Sequence, residues 1–443
     1  MKQRSDKNRS ISSFIHPLNT LGTKTLYSEE SFSKTVYDNG LTLLSQNMPN
    51  LRSITIGVWV MVGGRFERTA NMGICHFIEH CVFKGTKKRN ALQIAKALEN
   101  VGGNMNAFTS KEQTCFYATI LSEDLPLAVD VLSDLVQNAT FDEREIEREK
   151  QVIIEEIKDT EDTPEEFIQD HFYSQLFKKH SLGFGILGSR HTISSFTRQQ
   201  LFDFYYKYYV PSNMVVSIAG NFDPRQLDLL IKTKFKGSKQ QNNRSYWPSG
   251  IKIFELPSRL GKREVIKKKI SQAHICLGTP IKISYLNNKK FNFLALNTIL
   301  GGGMSSRLFQ RVREKYGLAY SIYSFVDFMY DTGVFGLYLA TDKNKLERSL
   351  DVVISECEKL ITNPIKPNEL KMAKSQIKAN LLFGLESTST RMIRLAKNEI
   401  YLKKKLNISE ITNYIDRLSL EDIQKSANHI AQSVRKMEVS VLY

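Results

Sequence analysis

His76-Phe77-Ile78-Glu79-His80 is the stretch in this chain best equipped for chemistry. Two histidines four apart share one face of an α-helix, because a turn takes 3.6 residues, so both imidazoles can reach one metal ion. Glu79 comes one residue before the second histidine and points beside that ion without taking a ligand position. A carboxylate placed there can act as general base toward water in a hydrolysis. The competing reading of the five residues is a chance match, or a pair of satisfied core histidines.

Such a site needs a helix under it and a third ligand. Ile74, Phe77, Ile78, Cys81 and Val82 recur at helical spacing, and Gly85 followed by Thr86-Lys87-Lys88-Arg89-Asn90 reads as a stop. Carboxylates come from a later segment, Glu149-Lys-Gln-Val-Ile-Ile-Glu-Glu156, within a long helix predicted over 142–160. Glu149 and Glu156 are seven apart, about 20° short of two full turns, so they share a stripe with Ile146 and Ile153. Glu155 is rotated about 100° away and is expected in solvent. A charged surface helix with i,i+4 pairs is the alternative for this segment.

The 443 residues allow two or more domains with a well-buried core, and 41% hydrophobic with 24% charged residues is ordinary for a globular chain. The net charge of +16 comes from scattered lysines without an arginine block or interleaved aromatics, which reads as a solvated surface rather than a nucleic-acid interface. Five cysteines, odd in number and without a C-x-x-C pair, argue against a disulfide framework and fit a reducing compartment. No run reaches the 18 apolar residues needed to span a bilayer. The first residues are basic and polar with no apolar core. This excludes a secretory signal and leaves a frayed tail or a weak organelle presequence.

The expected organisation is a tail over 1–34, a metal-binding domain over 35–235, a linker over 236–250 and a second domain over 251–443. Asn39-Gly40 marks a hairpin, and strands are predicted over 41–46, 53–62, 113–120 and 214–221. Helices are predicted over 91–101, 125–137 and 227–235. Past the linker the order starts again, with strands over 262–269, 273–280, 319–328, 333–340 and 438–443. Helices there cover 291–300, 345–361, 367–381 and 390–402. Gly301-Gly302-Gly303 lacks the G-K-[ST] ending of a phosphate loop and reads as a turn before a helix capped by Ser305 or Ser306. Short strands alternating with helices argue a mixed sheet with helices packed on it, and two similar halves point to internal duplication. The second half has no H-x-x-E-H.

H-x-x-E-H with a downstream E-x6-E resembles the pitrilysin–insulinase family of zinc endopeptidases, most of all its mitochondrial-processing-peptidase-like branch. Gly73-x-x-His76-Phe-x-Glu79-His80-x-x-Phe83-Lys-Gly-Thr86 carries the likeness, as does Glu156 lying 76 positions after His80. So do Gly102-Gly103-x-x-Asn106-Ala-Phe-Thr109-Ser-x-Glu112, His180-x-Leu-Gly183-x-x-Ile-Leu-Gly188, Tyr209-x-Pro-x-Asn213, Gly301-Gly-Gly-Met-Ser-Ser-Arg307 and Arg313-Glu-Lys-Tyr-Gly-Leu-Ala-Tyr320. Cys81 stands where methionine is common. The resemblance implies an α+β fold of two homologous α/β-roll halves, each a mostly antiparallel sheet with helices packed on it, facing each other around a chamber. It implies one Zn2+ per chain on His76, His80 and Glu156, with Glu79 as base and Glu149 as an acidic residue behind the ligands. Asn106, Ala107, Phe108 and Thr109 would form the edge strand along which a peptide or unfolded polypeptide lies. Arg313 and Tyr320, which by themselves read as surface contacts, would reach across to hold a substrate carbonyl. Kinship further implies a homodimer, and a bacterial cytoplasmic location with the mitochondrial matrix as the alternative. Since some members are non-catalytic partner subunits, that is the rival function.

Overall fold

The computed structural model describes residues 32–236, 253–257, 261–404 and 406–443. The expected tail and linker lie outside these residues except for Phe32–Lys34 and Lys236. Phe32–Lys34 are not tail. They open the first strand, two residues earlier than Lys34, because Phe32, Ser33 and Lys34 pair with Gln46, Ser45 and Leu44 of the next strand.

Eleven strands lie in the described residues: β1 (Phe32–Val36), β2 (Thr42–Asn47), β3 (Ser53–Val60), β4 (Asn104–Thr109), β5 (Thr114–Leu121), β6 (Met214–Gly220), β7 (Arg263–Ile266), β8 (Ala273–Ile281), β9 (Ala319–Phe328), β10 (Gly333–Thr341) and β11 (Glu438–Leu442). They form two sheets, ordered β1-β2-β6-β3-β5-β4 and β7-β11-β8-β10-β9. In each sheet one pair is parallel, β2 with β6 and β7 with β11, and the other pairs are antiparallel. Leaving β1 aside, the second sheet repeats the pairing of the first strand for strand. The expected mixed, mostly antiparallel architecture is thus the one observed.

Five helices of the first half position the site: α1 (Ile74–Val82), α2 (Ala91–Glu99), α3 (Leu125–Asn138), α4 (Glu143–Asp162) and α5 (Pro164–Leu176). α5 is absent from the sequence-based expectation, as are the helices Arg190–Ser195 and Arg198–Tyr208. The reason is tertiary. α5 buries Ile168, Phe172 and Leu176 against Cys276, Val334, Tyr338 and Leu442, which belong to the second sheet. Reciprocally, the helix Thr388–Lys397 of the second half sets Met392 and Ala396 against Leu44, Trp59, Cys115 and Val215 of the first sheet. Each sheet therefore has one face covered by its own helices and the other by a helix from the opposite half. This double cover is why β3, β6 and β10 are buried almost without a break instead of alternating.

The predicted helix start after Gly301-Gly302-Gly303 needs correction. Helical residues begin at Arg307, and neither serine caps them. Ser305 Oγ contacts Met372 Sδ at 3.4 Å, and Ser306 Oγ is buried without a partner among the described residues. Arg307 holds the corner instead, through two 2.7 Å bonds to Glu369 and one each to the carbonyls of Asn363 and Pro364. Among the described residues no helix is long and apolar enough to cross a membrane.

Candidate metal centre

α1 is amphipathic: Phe77, Ile78, Cys81 and Val82 face the first core, while His76 and His80 sit one turn apart with ring centroids 4.6 Å from each other. The chain can enter α1 where it does because Gly73 has φ 92° and lies back to back with Gly188, φ 78°. A Cβ on Gly73 would come within 2.7 Å of the Gly188 Cα, and one on Gly188 within 2.5 Å of the Met72 carbonyl oxygen. The two motif glycines, 115 positions apart, thus answer one steric demand.

α4 packs against α1 along the stripe Ile146, Glu149, Ile153 and Ile157, all buried. Glu156 lies at the end of this contact, with its side chain 42% exposed. Its Oε1 is 3.8 Å from His76 Nε2 and its Oε2 is 3.7 Å from His80 Nε2. One donor atom from each of the three residues can be chosen so that all lie within 4.8 Å of one another. Those gaps are too long for hydrogen bonds. They are close to the separation of about 3.4 Å between ligands of a tetrahedral zinc with bonds of about 2.0–2.1 Å. Burial, and then the neighbouring His80, lower the His76 pKa to about 3, so this imidazole is neutral and able to donate a lone pair. Two imidazoles and a carboxylate, with one side open, are the donor set of a catalytic zinc site, and the residues fit that ion. The Nδ1 of His76 is buried and makes no hydrogen bond among the described residues.

Glu149 does not reach this cluster of donors. It is buried behind His80, accepting from His80 Nδ1 at 3.1 Å and from Lys84 Nζ at 2.8 Å. Burial pushes its pKa up, but these two contacts outweigh burial and hold it below the usual carboxylate range. A carboxylate on Nδ1 fixes the tautomer that leaves Nε2 free on the side of Glu156. Burial raises the pKa of Glu156 itself, with His80 opposing. Glu155 faces solvent and pairs with Lys158 at 2.5 Å. Cys81 is buried and its thiol is pushed far up by burial, then by Glu149, so it offers no thiolate to the centre.

Glu79 is buried beside the histidines. Its Oε2 accepts from Thr109 Oγ1 at 2.5 Å. Burial raises its pKa, while the Thr109 bond opposes that rise. Thr109 is the last residue of β4, which among the described residues pairs only with β5 and so forms an open edge of the first sheet. Asn106, Ala107 and Phe108 precede it on that edge. The Ala107 N–H donates to Asn106 Oδ1 at 2.8 Å, and the Phe108 ring packs edge-on to Trp59 with centroids 5.5 Å apart. The structure therefore brings His76, His80, Glu156, Glu79, Glu149 and Thr109 together.

Arg313 and Tyr320 pack on each other in the second half. The Arg313 guanidinium lies 5.3 Å from the Tyr320 ring centroid and 4.8 Å from that of Phe309, and Tyr320 is 74% exposed on β9, the edge of the second sheet.

Two buried features near the centre have no counterpart in the sequence-based reading. Glu67 accepts the backbone N–H groups of Gly73 and Cys75. Arg65 joins Glu112 of the β4–β5 turn, at 2.8 Å, to Asp331 of the β9–β10 turn, at 2.5 Å. Nothing local marks Arg65, whose partners lie 47 and 266 positions away.

A family model described as Insulinase (Peptidase family M16) matches residues 42–190, and one described as Peptidase M16 inactive domain matches 195–377. An uncharacterized zinc protease of Bacillus subtilis is 38% identical over 394 residues, covering 88% of this chain and 94% of the relative. The chain belongs to the insulinase (M16) peptidase family. An uncharacterized zinc protease of Rickettsia felis agrees, with 37% identity over 92% of this chain and 96% of the relative. In three dimensions this family member superposes on a protease from Helicobacter pylori with a TM-score of 0.84 at 23% identity, covering 93% of this chain and 99% of the other. It also superposes on a chain from Pseudomonas fluorescens described as a peptidase M16 inactive domain, with a TM-score of 0.83 at 20% identity over 93% and 98%. The likeness to these two structures speaks to fold. Among the described residues His76, His80 and Glu156 form the one group of three or more His, Cys, Asp or Glu side chains able to hold a metal ion.

Proposed function

We propose that this chain is a zinc-dependent endopeptidase of the processing-peptidase-like type, acting on peptides or unfolded segments. The observation that carries the reading is the convergence of His76 Nε2, His80 Nε2 and the Glu156 carboxylate, with Glu79 alongside. When bound, zinc would make a water acidic and polarise the scissile carbonyl. The side chains do the rest. Glu149 holds the His80 ring by its Nδ1. Glu79, raised in pKa by burial, takes the proton of the attacking water and returns one to the leaving amine. The substrate backbone adds as a strand to the open edge of β4, along Asn106 to Thr109, displacing the Asn106 side chain from the Ala107 N–H. Arg313 and Tyr320 close on the substrate from the second half and stabilise the oxyanion. One zinc per chain, a homodimer and a chamber that admits only extended chains complete the proposal. A bacterial cytoplasmic location fits five free, buried cysteines and bacterial relatives.

The match of residues 195–377 to a domain described as inactive favours a second reading, a non-catalytic partner subunit. That half carries no H-x-x-E-H, whereas the first half has a complete ligand set, which supports catalysis. A library of unstructured peptides separates the two. Cleavage that stops on chelation and returns with zinc supports the peptidase. A zinc-loaded protein that cuts none of them supports the partner subunit.

A further inference from the structure

Glu67 lies six residues before Gly73, at the close of the short turn Gly64–Phe66, and its side chain is buried. Both carboxylate oxygens are used. Oε2 accepts from the Gly73 N–H at 2.8 Å and Oε1 from the Cys75 N–H at 2.9 Å. A helix begins with N–H groups that have no partner inside it and with the positive end of its dipole. In α1 the N-cap is Gly73, which has no side chain to supply an acceptor. A carboxylate from outside the helix therefore does the work of the cap, on the residue immediately before His76.

The segment that carries Glu67 is itself clamped. Gly64 N–H donates to the Ser110 carbonyl at 3.1 Å and Arg65 N–H to the Lys111 carbonyl at 2.6 Å. Two residues before Glu67, the fully buried Arg65 guanidinium is locked between Glu112 and Asp331. Phe254 N–H donates to Asp331 Oδ2 at 2.8 Å, and Tyr401 O–H donates to Glu112 Oε2 at 2.7 Å, so residues of the second half brace the clamp. Lys111 and Asp170 supply the nearby charges. None of these groups belongs to the metal ligands, and the proposed reaction uses none of them.

We propose that Glu67 is a positioning residue for α1: by holding the N–H groups of the N-cap Gly73 and of Cys75 from a clamped loop, it sets the aim of His76 and His80 at their common ion. This rests on the metal reading above. Carboxylates that orient ligating histidines from behind act at a neighbouring ring nitrogen. Glu67 acts one step further back, on the backbone that carries the ring.

The test uses the full-length protein, stripped of metal, with Zn2+ titrated against a chelating dye. Glu67→Gln keeps the shape but has one acceptor oxygen, so one of the two N–H groups loses its partner. The expected result is a zinc dissociation constant raised about 10- to 100-fold in protein that remains cooperatively folded, as for other ligand-supporting groups. A constant within twofold of wild type overturns the proposal, and so does a lowered melting temperature with unchanged zinc affinity of the folded protein. Should Glu67→Gln not fold, amide hydrogen exchange of metal-free wild type decides. Slow exchange at Gly73 and Cys75 supports the hold, and exchange at the rate of an open chain overturns it. Wild type that binds no zinc would instead sink the metal reading itself.

Discussion

His80 shows how the centre divides labour between two ring nitrogens. Nδ1 meets Glu149 and Nε2 faces Glu156, so one carboxylate holds the ring and the other stands on the side of the proposed ion. The two acids share one helix stripe, yet burial separates them: Glu149 is 3% exposed and held down by His80 and Lys84, while Glu156 stands at the rim. Glu67 gives a pH prediction. Burial pushes its pKa from 4.5 to about 7, against the Gly73 and Cys75 N–H groups. A folded-state pKa above the unfolded value means the folded protein holds a proton that the unfolded chain releases. The stability this confers is fully present below about pH 4.5 and is lost as pH rises through about 7. Metal-free wild type should therefore lose stability relative to Glu67→Gln across that window, by up to about 3 kcal/mol. Urea unfolding at pH 5 and pH 8 measures this. Parallel behaviour of the two proteins would contradict it.

Among the elements, the exchanged helices decide the architecture. α5 is bound to the second sheet through Phe172, whose ring tip lands at Gly278 of β8, where a Cβ would come within 2.5 Å of the Phe335 carbonyl oxygen and 2.8 Å of the ring. Phe172→Ala should cost about 3–5 kcal/mol, read as a shift of the denaturation midpoint. A loss below about 1 kcal/mol would mean that the helix does not bear on that face. α1 and α4 were legible in the sequence because each pattern is local: His76 with His80, and Glu149 with Glu156, are turns of one helix each. The double-wrapped strands were legible as continuous apolar runs. The role of α5 was not, because its partners at Cys276, Val334 and Tyr338 are more than 100 positions away. The Ser305 or Ser306 cap failed for a related reason: Arg307 finds Glu369 across the fold and fixes the corner without it.

For the molecule as a whole, the two halves are joined by charge as well as by exchanged helices. Arg65 is fully buried between Glu112 and Asp331, and its loss would leave two carboxylates without their cation in the interior. Arg65→Ala should cost about 3–5 kcal/mol, the range for breaking a buried ion pair on one side. Calorimetry should show the two halves of the wild type unfolding in a single transition. A near-neutral Arg65→Ala, or two well-separated wild-type transitions, would contradict this interlock. The half without H-x-x-E-H thus braces the loop before α1. The central claim is that His76, His80 and Glu156 hold one zinc while Glu79 serves as base. It is tested most directly by measuring bound zinc and peptide cleavage side by side for wild type and Glu79→Gln. The account predicts one zinc in each, with turnover nearly abolished in the variant. A variant that cleaves at the wild-type rate, or a wild type that takes up no zinc, would contradict it.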